Sequence, residues 1–100
     1  MKSIYSDKNI SGIIKTIETV LRKLNLEIIS TDFNNLVIEA KKSGSFLSFG
    51  NTIFISIKKS KKSGVRVYVD SESSAPIQLI DWGTNEQIEN EIIEHLKSLI

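Results

Sequence analysis

The chain contains no cysteine, one proline and one histidine among its 100 residues. Without cysteine there is no disulfide, no thiolate metal site and no thiol nucleophile. Its 13 basic and 12 acidic side chains leave a net charge of +1, so no overall field attracts nucleic acid or an anionic membrane. No apolar run approaches the roughly 20 residues of a membrane span. These absences favour a globular protein that folds without disulfides and has no membrane span.

What is present fits an ordinary folded domain. A length of 100 residues with 40% hydrophobic and 25% charged residues is sufficient for one core, so we predict a single domain over residues 1–100. Residues 1–8 lack the apolar run of a secretory signal. We therefore expect a cytoplasmic protein, or a domain from which a leader was removed.

Two stretches have the spacing of amphipathic helices. Residues 9–24 place apolar side chains three and four positions apart, with Asn9 or Asp7 as the cap. Residues 84–100 repeat the pattern, and Thr84 with Gln87 fits a capping box. The buried stripe of this second helix is predicted to contain Ile88, Ile92, Ile93, Leu96, Leu99 and Ile100.

Between the helices, apolar and polar residues alternate in four predicted strands, at 26–31, 36–41, 52–58 and 65–70. Counting from the Lys-rich loop 59–64 pairs Ile57 with Val65 and sets Phe54 beside Tyr68. Residues 42–51 are interpreted as a bent start to the third strand, with Gly50 at a bulge.

The predicted fold is therefore an α+β two-layer sandwich of order α-β-β-β-β-α. A four-stranded antiparallel meander, five-stranded if residues 77–80 add an edge strand, carries the N- and C-terminal helices on one face. Ile17, Ile55, Val67 and Ile92 are predicted to share the core.

A corner follows the only proline, Pro76, and contains Asp81, Trp82, Gly83 and Asn85. Asp81 is predicted to form an Asx-type turn, and Gly83 to adopt positive φ before the last helix. Trp82 is predicted to cover the edge of the core. The alternatives are a catalytic or ligand-binding role for Asp81 and a stacking platform at Trp82.

The same stretch resembles a bacterial family known only as domain of unknown function fourteen ninety-nine. The resemblance rests on Ser71-x-Ser73 at a strand end, then Asp81-x-Gly83-x-Asn85 before an Ile-rich helix. It implies a similar order of helix and strands over most of the chain. Where that family usually has basic residues, this chain has Glu72 and Glu86. The family has no agreed activity, so no catalytic residue is carried over.

Catalysis has little support in the sequence. There is no HExxH, P-loop or GxGxxG pattern. His95 has only Glu91 and Glu94 close by in sequence, which is typical of a charged helix face. We predict no catalytic residue, no metal and no cofactor. The alternative is a small hydrolase-like enzyme with a pocket between Ser71–Ser74 and the start of the last helix.

Two basic runs, Lys41-Lys42 and Lys58 to Lys62, would be the argument for nucleic acid. The meander places them at opposite ends of the sheet, and neither has interleaved aromatic residues. We predict no nucleic-acid partner and interpret both runs as solvated chain that protects strand edges.

The sheet face away from the helices is the predicted binding surface. Ile29, Val37, Phe54 and Tyr68 are each expected to point outward from a different strand, rimmed by charge. We predict a non-catalytic interaction domain that binds a protein partner or a second copy through this face, or through the Asp81–Asn85 corner. The alternative is that these residues reflect β-propensity alone.

Overall fold

The computed structural model describes residues 2–42, 51–61, 63–73 and 84–99. Within these ranges the elements, in chain order, are β1 (Lys2–Ser6), α1 (Ile10–Lys23), β2 (Glu27–Asp32), β3 (Val37–Lys42), β4 (Asn51–Lys59), β5 (Val65–Ser73) and α2 (Thr84–Leu99).

The strands form one antiparallel sheet of order β1-β5-β4-β3-β2. The predicted α+β two-layer fold, with both helices on one face, is confirmed. The fifth strand, however, is β1, which precedes α1 and pairs with β5 through Ile4 opposite Val67. The chain order is therefore β-α-β-β-β-β-α. Segment 2–6 has a single apolar position, Ile4, between Ser3 and Tyr5, and that is too short a pattern to predict a strand.

One hydrophobic core lies between the sheet and the helices. Ile17, Ile55, Val67 and Ile92 are fully buried in it, as predicted. Burying one such side chain contributes about 1.5–3 kcal/mol, which offsets the low helix propensity of the β-branched residues in α1.

Both ends of α1 are closed by asparagines. The Asn9 side chain accepts a hydrogen bond from the Gly12 N–H at 2.7 Å, so Asn9 is the cap. At the other end Asn25 has a φ of 61°, and its N–H donates to the Arg22 carbonyl while the Leu26 N–H donates to the Leu21 carbonyl. These two bonds form a Schellman-type ending that turns the chain into β2.

The β4–β5 register differs from the predicted one by two residues. Ile57 lies opposite Val67, not Val65. Gly64 has a φ of 74°, and the Ser60 N–H donates to its carbonyl at 3.1 Å. With this glycine in the turn, strand pairing extends closer to the tip of the hairpin than predicted. Each β4 residue therefore pairs with a β5 residue two positions later in the sequence than predicted. The inward and outward faces are unchanged because the shift is even.

The turn that connects β2 and β3 is formed with the help of Asp32 and Leu36. The Asp32 carboxylate accepts hydrogen bonds from the N–H groups of Asn34 and Asn35 at 2.9 and 3.0 Å. The left-handed residue is Leu36, with a φ of 56°, and not Asn34 or Asn35, although asparagine tolerates left-handed backbone better than leucine does. Ile29 is the extra residue of a bulge in β2, where the pairing skips from Ile28 to Ser30.

The apolar stripe of α2 is confirmed at four of its predicted positions, Ile88, Ile92, Ile93 and Leu96. Leu99 is wrong, because it is 44% exposed at the last turn. Glu89, a charged residue in the second turn of α2, is also buried, with 5% of its surface exposed.

Several predictions fall on residues that the structure does not describe. They are the bent start at 43–50 with Gly50, the edge strand at 77–80, Asp81, Trp82, Gly83 and Ile100. The backbone of Asn85 lies in α2, but its side chain is not described. In the described part of the chain, no helix is both long and apolar enough to cross a membrane.

Candidate interaction surface

The sheet face opposite the helices carries the side chains that alternate with the core residues. We call this the outer face. Strand pairing arranges its residues in four rows that cross the sheet. From one end, the first row is Tyr5, Arg66 and Lys58; the second is Ser3, Tyr68, Ser56, Val37 and Asp32; the third is Asp70, Phe54, Glu39 and Ser30; the fourth is Glu72, Thr52, Lys41 and Glu27.

The four predicted binding residues form a staggered band and not a single row. Tyr68 and Val37 lie in the second row on either side of Ser56, whereas Phe54 lies in the third. Ile29 is at the bulge beside the third row and is 48% exposed. Phe54 is therefore diagonal to Tyr68 and to Val37, a spacing within reach of aromatic side chains. Small or polar residues separate the apolar members.

The predicted Phe54–Tyr68 cross-strand pair is corrected by this register. Phe54 lies opposite Asp70, and Tyr68 lies opposite Ser56. The two rings are diagonal neighbours because of the two-residue shift at the Gly64 hairpin. Both side chains are half-buried, so each is fixed by its neighbours while part of its ring faces solvent.

Two further aromatic residues are exposed and were not among the predicted binding residues. Tyr5 is 39% exposed, and its hydroxyl lies 2.8 Å from both the Asp7 carboxylate and the Ser63 carbonyl. It was missed because β1 was not predicted as a strand, although the alternation of Ser3, Ile4 and Tyr5 was the available signal. Phe33, at the β2–β3 turn, is 68% exposed.

The two ends of the outer face, taken along the strand direction, carry opposite charges. The first row carries two cations, Arg66 and Lys58. The third and fourth rows together carry one cation, Lys41, and four carboxylates: Asp70, Glu39, Glu72 and Glu27. The Lys58 ammonium lies 5.7 Å from the centroid of the Tyr68 ring, a cation–π contact that joins the basic end to the aromatic band.

Asp32, at the margin of the second row, has a carboxyl pKa below its usual range. The backbone N–H of Asn35 is the main cause, followed by the Asn35 side-chain amide at 2.9 Å and the backbone N–H of Asn34. Each of these donors stabilises the ionised carboxylate. Asp32 thus stays negative into mildly acidic solution.

The two basic runs are well separated. Lys41 and Lys42 lie opposite Thr52 and Asn51, at the start of β4, whereas Lys58 and Lys59 are at its end. The meander places them at opposite ends of the sheet, as the sequence indicated, and the described lysines do not form one continuous patch.

The hydrolase-like alternative places a pocket between Ser71–Ser74 and the start of the last helix. Ser74 and the side chain of Ser73 lie outside the described residues, which leaves Ser71. Its backbone N–H donates to Glu89 Oε2 at 2.9 Å, and both residues are buried. The His95 ring lies 2.9 Å from the Glu91 carbonyl of its own helix. A hollow of about 480 Å³ beside His95 is lined by Glu86, Gln87, Asn90, Glu91 and Glu94. All of these residues belong to α2, and none is a serine, so the described part of the chain does not bring Ser71 and His95 together.

A metal centre is also without support in residues 2–42, 51–61, 63–73 and 84–99. No three carboxylate or histidine side chains in these ranges come together in an arrangement that could hold an ion.

No family model matches the chain, and no curated protein matches it. The resemblance stated from the Ser71-x-Ser73 and Asp81-x-Gly83-x-Asn85 motifs stays a prediction, and so does the bacterial origin that it implies. The cytoplasmic location expected from residues 1–8 also stays a prediction.

Proposed function

We propose that this chain is a non-catalytic interaction domain that binds protein through its outer face. The observation that carries the proposal is the staggered band of Tyr68, Phe54, Val37 and Ile29 between a basic and an acidic row. Both helices pack on the other side of the sheet, and no described helix covers this one. An apolar centre with a charged rim is the usual composition of a protein-binding patch.

Phe54 and Tyr68 are the proposed anchors. They are the aromatic members of the band, they lie on the central strand β4 and on β5 beside it, and both are half-buried. Rigid aromatic side chains near the centre of a surface give most binding energy for the least ordering cost.

The test is the double variant Phe54→Ser, Tyr68→Ser, with Phe33→Ser as the matched control. Phe33 is exposed to a similar or greater degree but lies at a turn outside the band. Each variant is first checked for an intact fold by circular dichroism. We expect the double variant to lose the parent's self-association or its captured protein partners, and Phe33→Ser to keep them.

The proposal fails if the folded double variant keeps both the mass of the parent in solution and the same captured proteins. The band would then be a product of β-propensity, which stabilises the sheet and binds nothing.

A further inference from the structure

We infer that the partner of the outer face is a second copy of this chain, and that the two copies stack face to face about a two-fold axis that runs across the strands. The inference rests on the proposed function, because it uses the same surface and the same aromatic anchors. Its support is a pattern of charge and shape on the outer face that is complementary to itself.

The charge pattern reverses along the strands. Arg66 and Lys58 occupy the first row, whereas carboxylates outnumber the one ammonium in the third and fourth rows. A two-fold axis between the second and third rows inverts the row order of the second copy. The basic end of each copy then lies over the acidic end of the other, and symmetry makes the contact occur twice.

The same axis keeps each strand over its own counterpart and sets specific residues against each other. On β5, Arg66 of one copy lies over Glu72 of the second copy, since 66 and 72 are equidistant from the centre of the second and third rows. On β4, Phe54 lies over Ser56. The phenyl ring then enters the gap above a small side chain, between the Tyr68 and Val37 of the copy it faces.

The available area fits a dimer of modest strength. The five strands have five, nine, nine, six and six residues across the sheet, and at about 3.3 Å per residue and 4.8 Å between strands they give a face of roughly 550 Å² per copy. Stable interfaces bury about 800 Å² per partner. We therefore expect a dimer that forms with rising concentration, in the micromolar range, and weakens as salt screens the two charged ends.

The test is charge reversal followed by complementation. Arg66→Glu and Glu72→Arg are both at exposed positions, and each places like charges together at two symmetric contacts. We expect each variant alone to raise the dimer Kd at least about tenfold in sedimentation equilibrium. An equimolar mixture of the two variants restores both opposite-charge contacts in the heterodimer, and we expect it to associate at the strength of the parent. Lys23→Glu, an exposed reversal on α1, is the control and should leave Kd unchanged.

A parent that stays monomeric up to about 1 mM overturns the inference, because a dimer with a Kd in the micromolar range would be almost fully formed at that concentration. A parental dimer that ignores both reversals, or a mixture that fails to restore association, overturns it as well. These failures are distinct from failure of the proposed function. A monomeric parent whose captured protein partner is lost in the Phe54→Ser, Tyr68→Ser variant contradicts the two-fold dimer and supports the interaction domain.

Discussion

The Glu89 carboxylate of α2 accepts a hydrogen bond from the backbone N–H of Ser71 in β5 at 2.9 Å. The pairing of β1 with β5 runs only as far as Lys2 opposite Val69, so Ser71 lies beyond it. Glu89 thus accepts a hydrogen bond from a β5 N–H that lies just beyond the described pairing of β5 with the edge strand β1. A buried carboxylate in this position ties the closing helix to the sheet by more than apolar packing.

Replacing Glu89 by Ala should therefore destabilise the fold by about 1–3 kcal/mol, because the Ser71 N–H loses its acceptor in a buried setting. Urea denaturation measures this change. Glu91→Ala, an exposed position in the same helix, is the control and should stay within about 0.5 kcal/mol of the parent. Equal losses in the two variants would show that the helix, and not the contact with β5, determines the effect.

Replacing Ile55 by Ala should lower the free energy of unfolding by about 2–5 kcal/mol, since Ile55 is fully buried beneath the helices. Ile29→Ala, on the outer face, removes the same atoms from a side chain that is 48% exposed and should cost much less. A loss under about half a kcal/mol at Ile55 in chemical denaturation would contradict its place in the core.

Replacing Gly64 by Ala should destabilise the β4–β5 hairpin by about 1 kcal/mol or more. The φ of 74° disfavours any residue with a Cβ, and the added atom would collide with the Ser6 carbonyl oxygen and lie 2.8 Å from the Tyr5 hydroxyl. Thermal unfolding measures the loss. Gly64→Asn separates the two causes, because Asn tolerates left-handed backbone but still carries the Cβ. A full rescue by Asn would contradict the collision with β1.

The Asp32 carboxyl should titrate with its midpoint below its ordinary value of 3.8. Since its folded pKa is lowered, its stabilising effect is fully present above the unfolded pKa and is lost as pH falls through the folded one. NMR titration of the side-chain carboxyl measures the midpoint. An Asn35→Ala variant, which removes the amide donor, should move it upward. A midpoint at or above 3.8 in the parent would contradict the geometry of the turn.

Which residues of each strand face the core could be predicted from the sequence because side chains alternate with a period of two. An error of two residues in the pairing register therefore leaves every side chain on the same face. Ile55 and Val67 were placed inward, and Phe54 and Tyr68 outward, although the hairpin count was wrong by two. The register itself depends on the φ of Gly64, and composition does not reveal which turn a glycine will adopt.

Other features depend on contacts between distant parts of the chain. β1 is a strand because β5 pairs with it, and its own pattern is too short to show this. Glu89 is buried although it is charged, because it lies four residues before Ile93 and seven before Leu96, on the apolar side of the helix. The helical spacing of Glu89 thus indicates a buried position, whereas the general preference of charged residues for the surface indicates an exposed one.

Because β1 pairs with β5, the formation of the complete sheet is delayed during synthesis of the chain. The strands β2 to β5 can pair one after another as they are made, because each lies next to its neighbour in sequence. β1 must wait until Val69 has been added, which takes roughly 3–13 s at about 5–20 residues per second. Throughout that interval β1 has a hydrogen-bonding edge and no described strand to pair with. Of the four strand pairings, the one between β1 and β5 therefore forms last, and it joins the earliest of the five described strands to the latest.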